Sequence, residues 1–151
     1  MAKLVWSVLC QQALIDRQTN NLSLINTIDE VHPARPQQEI PKVLNGKKVL
    51  PIIPMTCSLV TLWERDRLTI SESASVRASL VGPDGKTLLK IEAVIDLRKS
   101  IRARVLANLP GLPVAGNGTY KFVLRLRSGV TWRRVGQLSY EFSYAFPRKL
   151  N

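Results

Sequence analysis

Residues 119–146 read TYKFVLRLRSGVTWRRVGQLSYEFSYAF, and apolar and polar side chains alternate through them. A period of two places successive side chains on opposite faces of a β-strand. The pattern predicts strands at 119–127 and 131–146, joined as a hairpin by the short loop Ser128-Gly129-Val130. The predicted buried face consists of Tyr120, Phe122, Leu124, Leu126, Trp132, Leu138, Tyr140, Phe142, Tyr144 and Phe146. Because Arg134 and Gly136 interrupt this apolar set, we also expect a β-bulge near Val135-Gly136.

Alternation elsewhere in the chain predicts further strands. Residues 75–97 contain two alternating runs around Gly82-Pro83-Asp84-Gly85, a sequence typical of a tight turn, and are interpreted as a second hairpin. Other strands are expected at 3–10, 22–30, 55–64 and 100–108, which gives about eight in total. The predicted fold class is all-β: a two-layer antiparallel β-sandwich of about seven to nine strands.

The chain is predicted to form one domain, residues 1–151, because its 151 residues match the usual domain size. Residues 32–54 contain five of the nine prolines, which remove ladder donors and disfavour helix at the residue before them. This Pro-rich segment is interpreted as a long extended crossing from one sheet to the other rather than as a boundary between domains.

Composition also suggests a compartment. No run approaches the ~20 apolar residues of a membrane span, and the apolar run before Cys10 is too short for a signal peptide. We therefore expect a cytoplasmic protein with no membrane span. Cys10 and Cys57 are then free thiols, and both lie in apolar strand-like runs where a cysteine acts as a small buried hydrophobe.

The sequence offers no set of residues that supports catalysis. His32 is the only histidine, and no serine or cysteine nucleophile motif accompanies it. There is no Cys/His spacing of the zinc type, too few loop carboxylates for calcium and no glycine-rich loop opening a helix. The prediction is a non-enzymatic protein without catalytic residues, metal or cofactor.

Positive charge is concentrated in the last third of the chain. The whole chain has 22 basic and 11 acidic residues, but the segment 96–151 alone has 11 basic residues and only Asp96 and Glu141 as acids. Arginine dominates this segment, and its planar fork suits carboxylate and phosphate. If the strands neighbour one another, they form a basic sheet face for an anionic partner. The candidate residues are Arg98, Lys99, Arg102, Arg104, Lys121, Arg125, Arg127, Arg133 and Arg134.

Three functional hypotheses remain open at this point. The first is an interaction or structural module of a larger assembly, which binds a protein partner or a second copy of itself through the basic face. The alternative is a nucleic-acid-binding protein that uses the arginines of the C-terminal strands, although it lacks any recognition-module signature. The third is a hydrolase or transferase with an unrecognised pocket that holds His32 and several acids. Apart from these three, the charged face can be a solvated surface that keeps the protein soluble and resists edge aggregation.

Three segments resemble a known group of proteins. Leu4–Ile28 contains a strand, a polar break and Asn-Leu-Ser-Leu-Ile-Asn at 21–26; the turn at 82–85 follows, and Gly118–Leu124 then leads into the last long strand. This arrangement resembles a family of small bacterial proteins of unknown function with an immunoglobulin-like or C2-like β-sandwich. The resemblance implies an immunoglobulin-like architecture for most of the chain. It implies no catalytic residues, and the basic last third is not a feature of that family.

Overall fold

The computed structural model describes residues 1–33, 43–44, 47–48, 50–69 and 71–144. Within these ranges the chain forms thirteen β-strands and no helix. The strands are β1 (Ala2–Ile15), β2 (Leu22–Thr27), β3 (Glu30–Val31), β4 (Val43–Leu44), β5 (Lys47–Lys48), β6 (Ile52–Ile53), β7 (Cys57–Arg65), β8 (Ser73–Val81), β9 (Thr87–Asp96), β10 (Arg102–Leu109), β11 (Leu112–Pro113), β12 (Gly118–Ser128) and β13 (Thr131–Phe142).

The strands form two larger sheets and two small ones. The four-stranded sheet has the order β10-β7-β1-β2, and the five-stranded sheet has the order β3-β13-β12-β8-β9. Two-residue strands make the pairs β11-β6 and β4-β5. Every pair is antiparallel except β3 with β13, which is parallel. The predicted all-β class is confirmed.

Both predicted hairpins are present. In the first, β8 and β9 pair around the turn 82–85, where the Gly82 N–H donates to Lys86 O at 2.9 Å and Gly85 has a φ of 82°. That φ lies in the left-handed region, which glycine adopts without strain. In the second, β12 and β13 pair from Gly118↔Phe142 to Ser128↔Thr131.

The structure places Trp132 on the face of its strand opposite to the predicted one. The β12–β13 register shifts between Leu124 and Arg125, so that Val135 is an extra residue in β13, as the predicted bulge requires. A bulge reverses which side chains face each side of the sheet. Trp132 therefore pairs with Arg127 and lies on the polar face of the sheet, not with the buried aromatics. The prediction of a buried Trp132 is wrong because the parity was continued through the bulge.

The apolar faces of the two larger sheets meet in two clusters. In the first cluster, Leu9 and Leu59 of the four-stranded sheet pack with Leu80, Phe122 and Tyr140 of the five-stranded sheet. In the second, the fully buried Trp63 packs with Val76, Ile95 and Leu126. The remaining faces of these two sheets, turned away from the clusters, are called outer faces below.

The predicted crossing at 32–54 lies largely outside the described residues. Its described parts include the pair β4–β5 and strand β6, which pairs with β11. The role proposed for this segment and the assignment of residues 1–151 to a single domain stay predictions.

Gly111 is needed where β11 approaches β6. A Cβ at this position would lie 2.5 Å from both the Ile53 carbonyl oxygen and Ile52 Cγ2. Because the carbonyl belongs to the backbone, the β6–β11 pair has to move apart. We expect Gly111→Ala to lower the free energy of unfolding by about 1–3 kcal/mol in urea denaturation. Gly129→Asn is the control, since Gly129 has a φ of 61° with nothing near its Cβ and asparagine tolerates this region.

The two cysteines are buried and free. Burial, with a smaller contribution from Cys10, raises the pKa of the Cys57 thiol to about 11, and burial also raises the pKa of Cys10. A thiol with a pKa of 11 is only about 0.1% ionised at pH 8, and the thiolate is the reactive form. We expect a chromogenic aromatic disulfide to modify both cysteines at least ~100-fold faster in urea than in the native protein. Rapid modification of either thiol without denaturant would contradict the burial.

Candidate anion-binding face

Four of the nine predicted residues share the outer face of the five-stranded sheet. Lys121, Arg125 and Arg127 alternate along β12 with the buried Phe122, Leu124 and Leu126. Arg134 lies beside them because it pairs with Arg125 across the β12–β13 ladder.

Register extends this group into a row of arginines across three strands. Arg125 pairs with Arg77 of β8 on one side and with Arg134 of β13 on the other. Neighbouring strands lie about 4.8 Å apart, so the three backbone positions span roughly 10 Å. Like charges directly opposite one another destabilise a sheet. An anion bound over the row would relieve this repulsion.

Arg77 was missed by the charge count because it lies outside the last third of the chain. Its alternation with Val76 and Ala78 is the sequence signal that places it on the outer face. The guanidinium contacts Glu92 of β9, with Nη2 and Nε at 2.6 and 2.7 Å from Oε1. Its Cζ also lies 4.1 Å from the centroid of the Trp132 ring, within cation–π range. Arg77 thus has its own counter-ion and holds the indole over the sheet.

The other cations of this face have no such counter-ion. Among the described residues, no carboxylate forms an ion pair with Lys121, Arg125, Arg127 or Arg134. Arg127 Nε donates to the Gly129 carbonyl at 3.0 Å, and Arg134 donates to the Gln137 side chain, so both bond to neutral groups. We define the basic face as Arg77, Lys121, Arg125, Arg127 and Arg134.

Arg133 and the loop residues lie away from the basic face. Arg133 pairs with the buried Leu126, so it lies on the opposite side of β13 from Arg134. Arg98 and Lys99 lie in the loop between β9 and β10. Arg98 donates from Nε to Asp96 Oδ1 at 2.9 Å and from Nη2 to Asp96 Oδ2 at 2.8 Å. These hydrogen bonds hold the pKa of the Asp96 carboxyl well below its usual range. Arg98 is therefore already neutralised by a neighbour.

Arg102 and Arg104 belong to the other sheet. Both lie on β10, an edge strand of the four-stranded sheet, and not beside β12 as a single basic face would require. Arg102 Nε lies 3.3 Å from Glu64 Oε2, and Arg104 Nη2 donates to both the carbonyl and the side-chain oxygen of Asn20. The nine predicted residues are thus divided among two sheets and a loop.

The histidine and the metal-ligating side chains of the described residues do not group into a metal site. His32 lies 3.1 Å from Glu30, and both side chains are exposed. Nowhere in the ranges that the structure covers do three or more His, Cys, Asp or Glu side chains group closely enough to hold a metal ion. Those ranges also contain no helix with the length and hydropathy that a bilayer crossing requires.

Comparison of the chain with protein-family models, with curated proteins and with solved structures gives no significant match. The resemblance to small bacterial sandwich proteins therefore stays a prediction.

Proposed function

We propose that this protein is a non-enzymatic binding module that docks an acidic protein partner on the basic face. The observation that carries the proposal is the row Arg77–Arg125–Arg134, flanked along β12 by Lys121 and Arg127. A sheet gains no stability from three adjacent guanidinium groups. Residues that do not stabilise the sheet are expected where a surface binds a ligand.

The remaining charges on this face favour a protein over a polyphosphate chain. Glu92 continues the row on β9, and Glu141 lies on the same face of β13, where it accepts a hydrogen bond from Thr119. A uniformly negative chain can bind the cations of this face but offers no cation to Glu92 or Glu141. An acidic protein surface can present carboxylates to the arginines and its own cations to Glu92 and Glu141.

For the fold, we propose a two-layer β-sandwich of the immunoglobulin-like type. The support is that buried residues of both larger sheets pack into common clusters. In such a fold one sheet is free to present its outer face to a partner. The cytoplasmic location and the absence of catalysis are parts of the same proposal.

The proposal is tested by titrating the full chain with fluorescent poly-L-glutamate from about 50 to 300 mM salt. We expect saturable binding at low salt that weakens steeply as salt rises, because exposed ion pairs are screened. Poly-L-lysine of the same length is the control and should not bind. An absence of poly-L-glutamate binding at the lowest salt would overturn the proposal.

A second candidate function, binding of single-stranded nucleic acid, is supported by the position of Trp132 on the basic face. Stacking of a base on an aromatic side chain contributes about 1–3 kcal/mol. If nucleic acid is the ligand, Trp132→Ala weakens binding of a mixed-sequence 20-mer at least ~5-fold and leaves poly-L-glutamate binding within about 2-fold. Equal small effects on both ligands would exclude a stacking role and leave the acidic protein partner.

A further inference from the structure

The hairpin β1–β2 folds back over the outer face of the four-stranded sheet. Its tip, Ile15–Leu22, contacts β10 because Asn20 accepts hydrogen bonds from Arg104 at 2.6 and 2.9 Å. Arg104 pairs with Leu62, which pairs with Trp6 of β1. Ile15 lies nine residues beyond Trp6, roughly 30 Å along a straight strand, so the hairpin has to arch back to make this contact.

The bend has an identifiable position. Between the pairs Cys10↔Thr27 and Gln12↔Ile25, the ladder is interrupted at Gln11 and Asn26. Asn26 has a φ of 51°, in the left-handed region, and its side-chain amide donates to Gln11 Oε1 at 2.7 Å. The hairpin beyond this point therefore turns out of the plane of the sheet.

The arched hairpin and the sheet beneath it line an open cleft of about 530 Å³. Its floor is the outer face of β1, β7 and β10, where Trp6, Leu62 and Leu106 are only partly buried. Ile15 and Leu22 of the hairpin tip complete the apolar lining. The volume is in the usual range for small-molecule sites, which combine apolar walls with a few polar groups.

The polar end of the cleft carries one uncompensated positive charge. Arg102 and Arg104 project from the same face of β10, roughly 7 Å apart. Glu64 pairs with Arg102, whereas among the described residues Arg104 bonds only to the neutral Asn20. Asn20 occupies Nη2 of Arg104, which leaves Nη1 and Nε, on opposite sides of the guanidinium group, as separate donors for an anion. A single net charge beside an apolar cleft matches a monoanion with an apolar body.

We infer that this cleft binds a medium-chain fatty acid, with its carboxylate on Arg104 and its aliphatic chain over Trp6, Leu62 and Leu106. With Nη2 bonded to Asn20, Arg104 donates a single charge-assisted hydrogen bond to the carboxylate, from Nη1 or from Nε. The aliphatic chain of the ligand lies between the hairpin tip and the sheet, and its apolar burial supplies most of the affinity. This site is on the other sheet from the basic face, so its success or failure leaves the proposed function untouched.

The inference is tested by titrating the isotope-labelled chain with decanoate and following the indole N–H signals of its three tryptophans. The Trp6 signal is expected to shift saturably below about 1 mM, while those of Trp63 and Trp132 stay in place. Octanoate should bind about 15-fold more weakly, because each buried CH₂ contributes about fourfold. Acetate and decyltrimethylammonium should not bind. No saturable shift of Trp6, or equal binding of the decyl cation, overturns the inference.

Variants separate the carboxylate contact from the general charge of the protein. Arg104→Gln is expected to weaken decanoate binding at least tenfold, and Arg104→Lys to recover part of it. Arg125→Gln removes the same charge from the other sheet and should leave the affinity within about 2-fold. Because Arg104 also holds the hairpin tip, Leu106→Ser provides an independent variant, expected to weaken binding about tenfold. Unchanged affinity in both Arg104→Gln and Leu106→Ser contradicts this site.

Discussion

The variant Arg125→Glu/Arg127→Glu is expected to bind poly-L-glutamate at least ~30-fold more weakly than the native protein at low salt. Both side chains lie on the outer face of β12, and neither has a carboxylate counter-ion among the described residues. Each reversal removes an attraction and adds a repulsion, and each of these changes is worth on the order of 0.5 kcal/mol at an exposed position. The measurement is fluorescence anisotropy at about 50 mM salt.

The matched control is Arg102→Glu/Arg104→Glu, which makes the same charge change at the same spacing on β10 of the other sheet. Its affinity for poly-L-glutamate should stay within about 3-fold of the native value, and the lower net charge accounts for this small loss. Equal losses in the two variants would show that total charge, and not the basic face, determines binding. Circular dichroism of both variants checks that each retains its strands.

A substitution at Arg125 that weakens binding should increase the stability of the fold. A glutamate at this position would face Arg77 and Arg134 on the two neighbouring strands. Opposite charges directly across a ladder contribute about 0.2–1 kcal/mol each. Arg125→Glu alone is therefore expected to raise the free energy of unfolding while it weakens binding. A stability loss of more than about 1 kcal/mol would instead assign Arg125 a structural role.

Trp63→Ala is expected to lower the free energy of unfolding by about 3–5 kcal/mol in urea denaturation. The indole is 0% exposed, and its Nε1–H donates to Thr61 Oγ1 at 2.7 Å. Truncation leaves a cavity between the two larger sheets and removes the partner of the Thr61 hydroxyl. If the variant does not fold, Trp63→Phe should still lower stability measurably, because it leaves the same hydroxyl without its donor.

Trp132→Ala provides the control for Trp63 and tests the bulge in β13. Trp132 lies on the outer face, with Arg77 over its ring. Trp132→Ala should lower the free energy of unfolding by only about 0.5–1 kcal/mol, the value of an exposed cation–π contact. A cost equal to that of Trp63→Ala would place Trp132 in the core, as continuous alternation predicted, and would contradict the bulge.

The strand faces and the hairpin turn can be predicted from the sequence, because they depend on residues close to one another in the chain. Alternation places Tyr120, Phe122, Tyr140 and Phe142 on a buried face, and the turn at 82–85 predicts the β8–β9 hairpin. The bulge is predicted by Gly136 and Arg134, but its consequence for Trp132 requires the register of both strands. β1 and β2 differ more from the predicted bounds, since β1 continues to Ile15 and β2 ends at Thr27, beside Asn26 with its φ of 51°.

The candidate site is harder to predict because strand order is non-local. Arg102 and Arg104 precede β12 closely in sequence, yet β10 pairs with β7 in the four-stranded sheet. Arg77 is far from β12 in sequence, yet it pairs with Arg125. Alternation predicts the face on which a side chain lies, whereas adjacency is decided by which strands pair within one sheet. The last-third charge count therefore included Arg133 and omitted Arg77.

Mapping of amide chemical shifts during titration with poly-L-glutamate tests the central claim most directly, because it locates the anion on the protein. We predict the largest shifts at Lys121–Arg127 of β12, at Trp132 and Arg134 of β13 and at Arg77 of β8, with small shifts at Arg102 and Arg104. Shifts centred on β10, or spread evenly over all exposed cations, would contradict the assignment of the basic face as the docking surface.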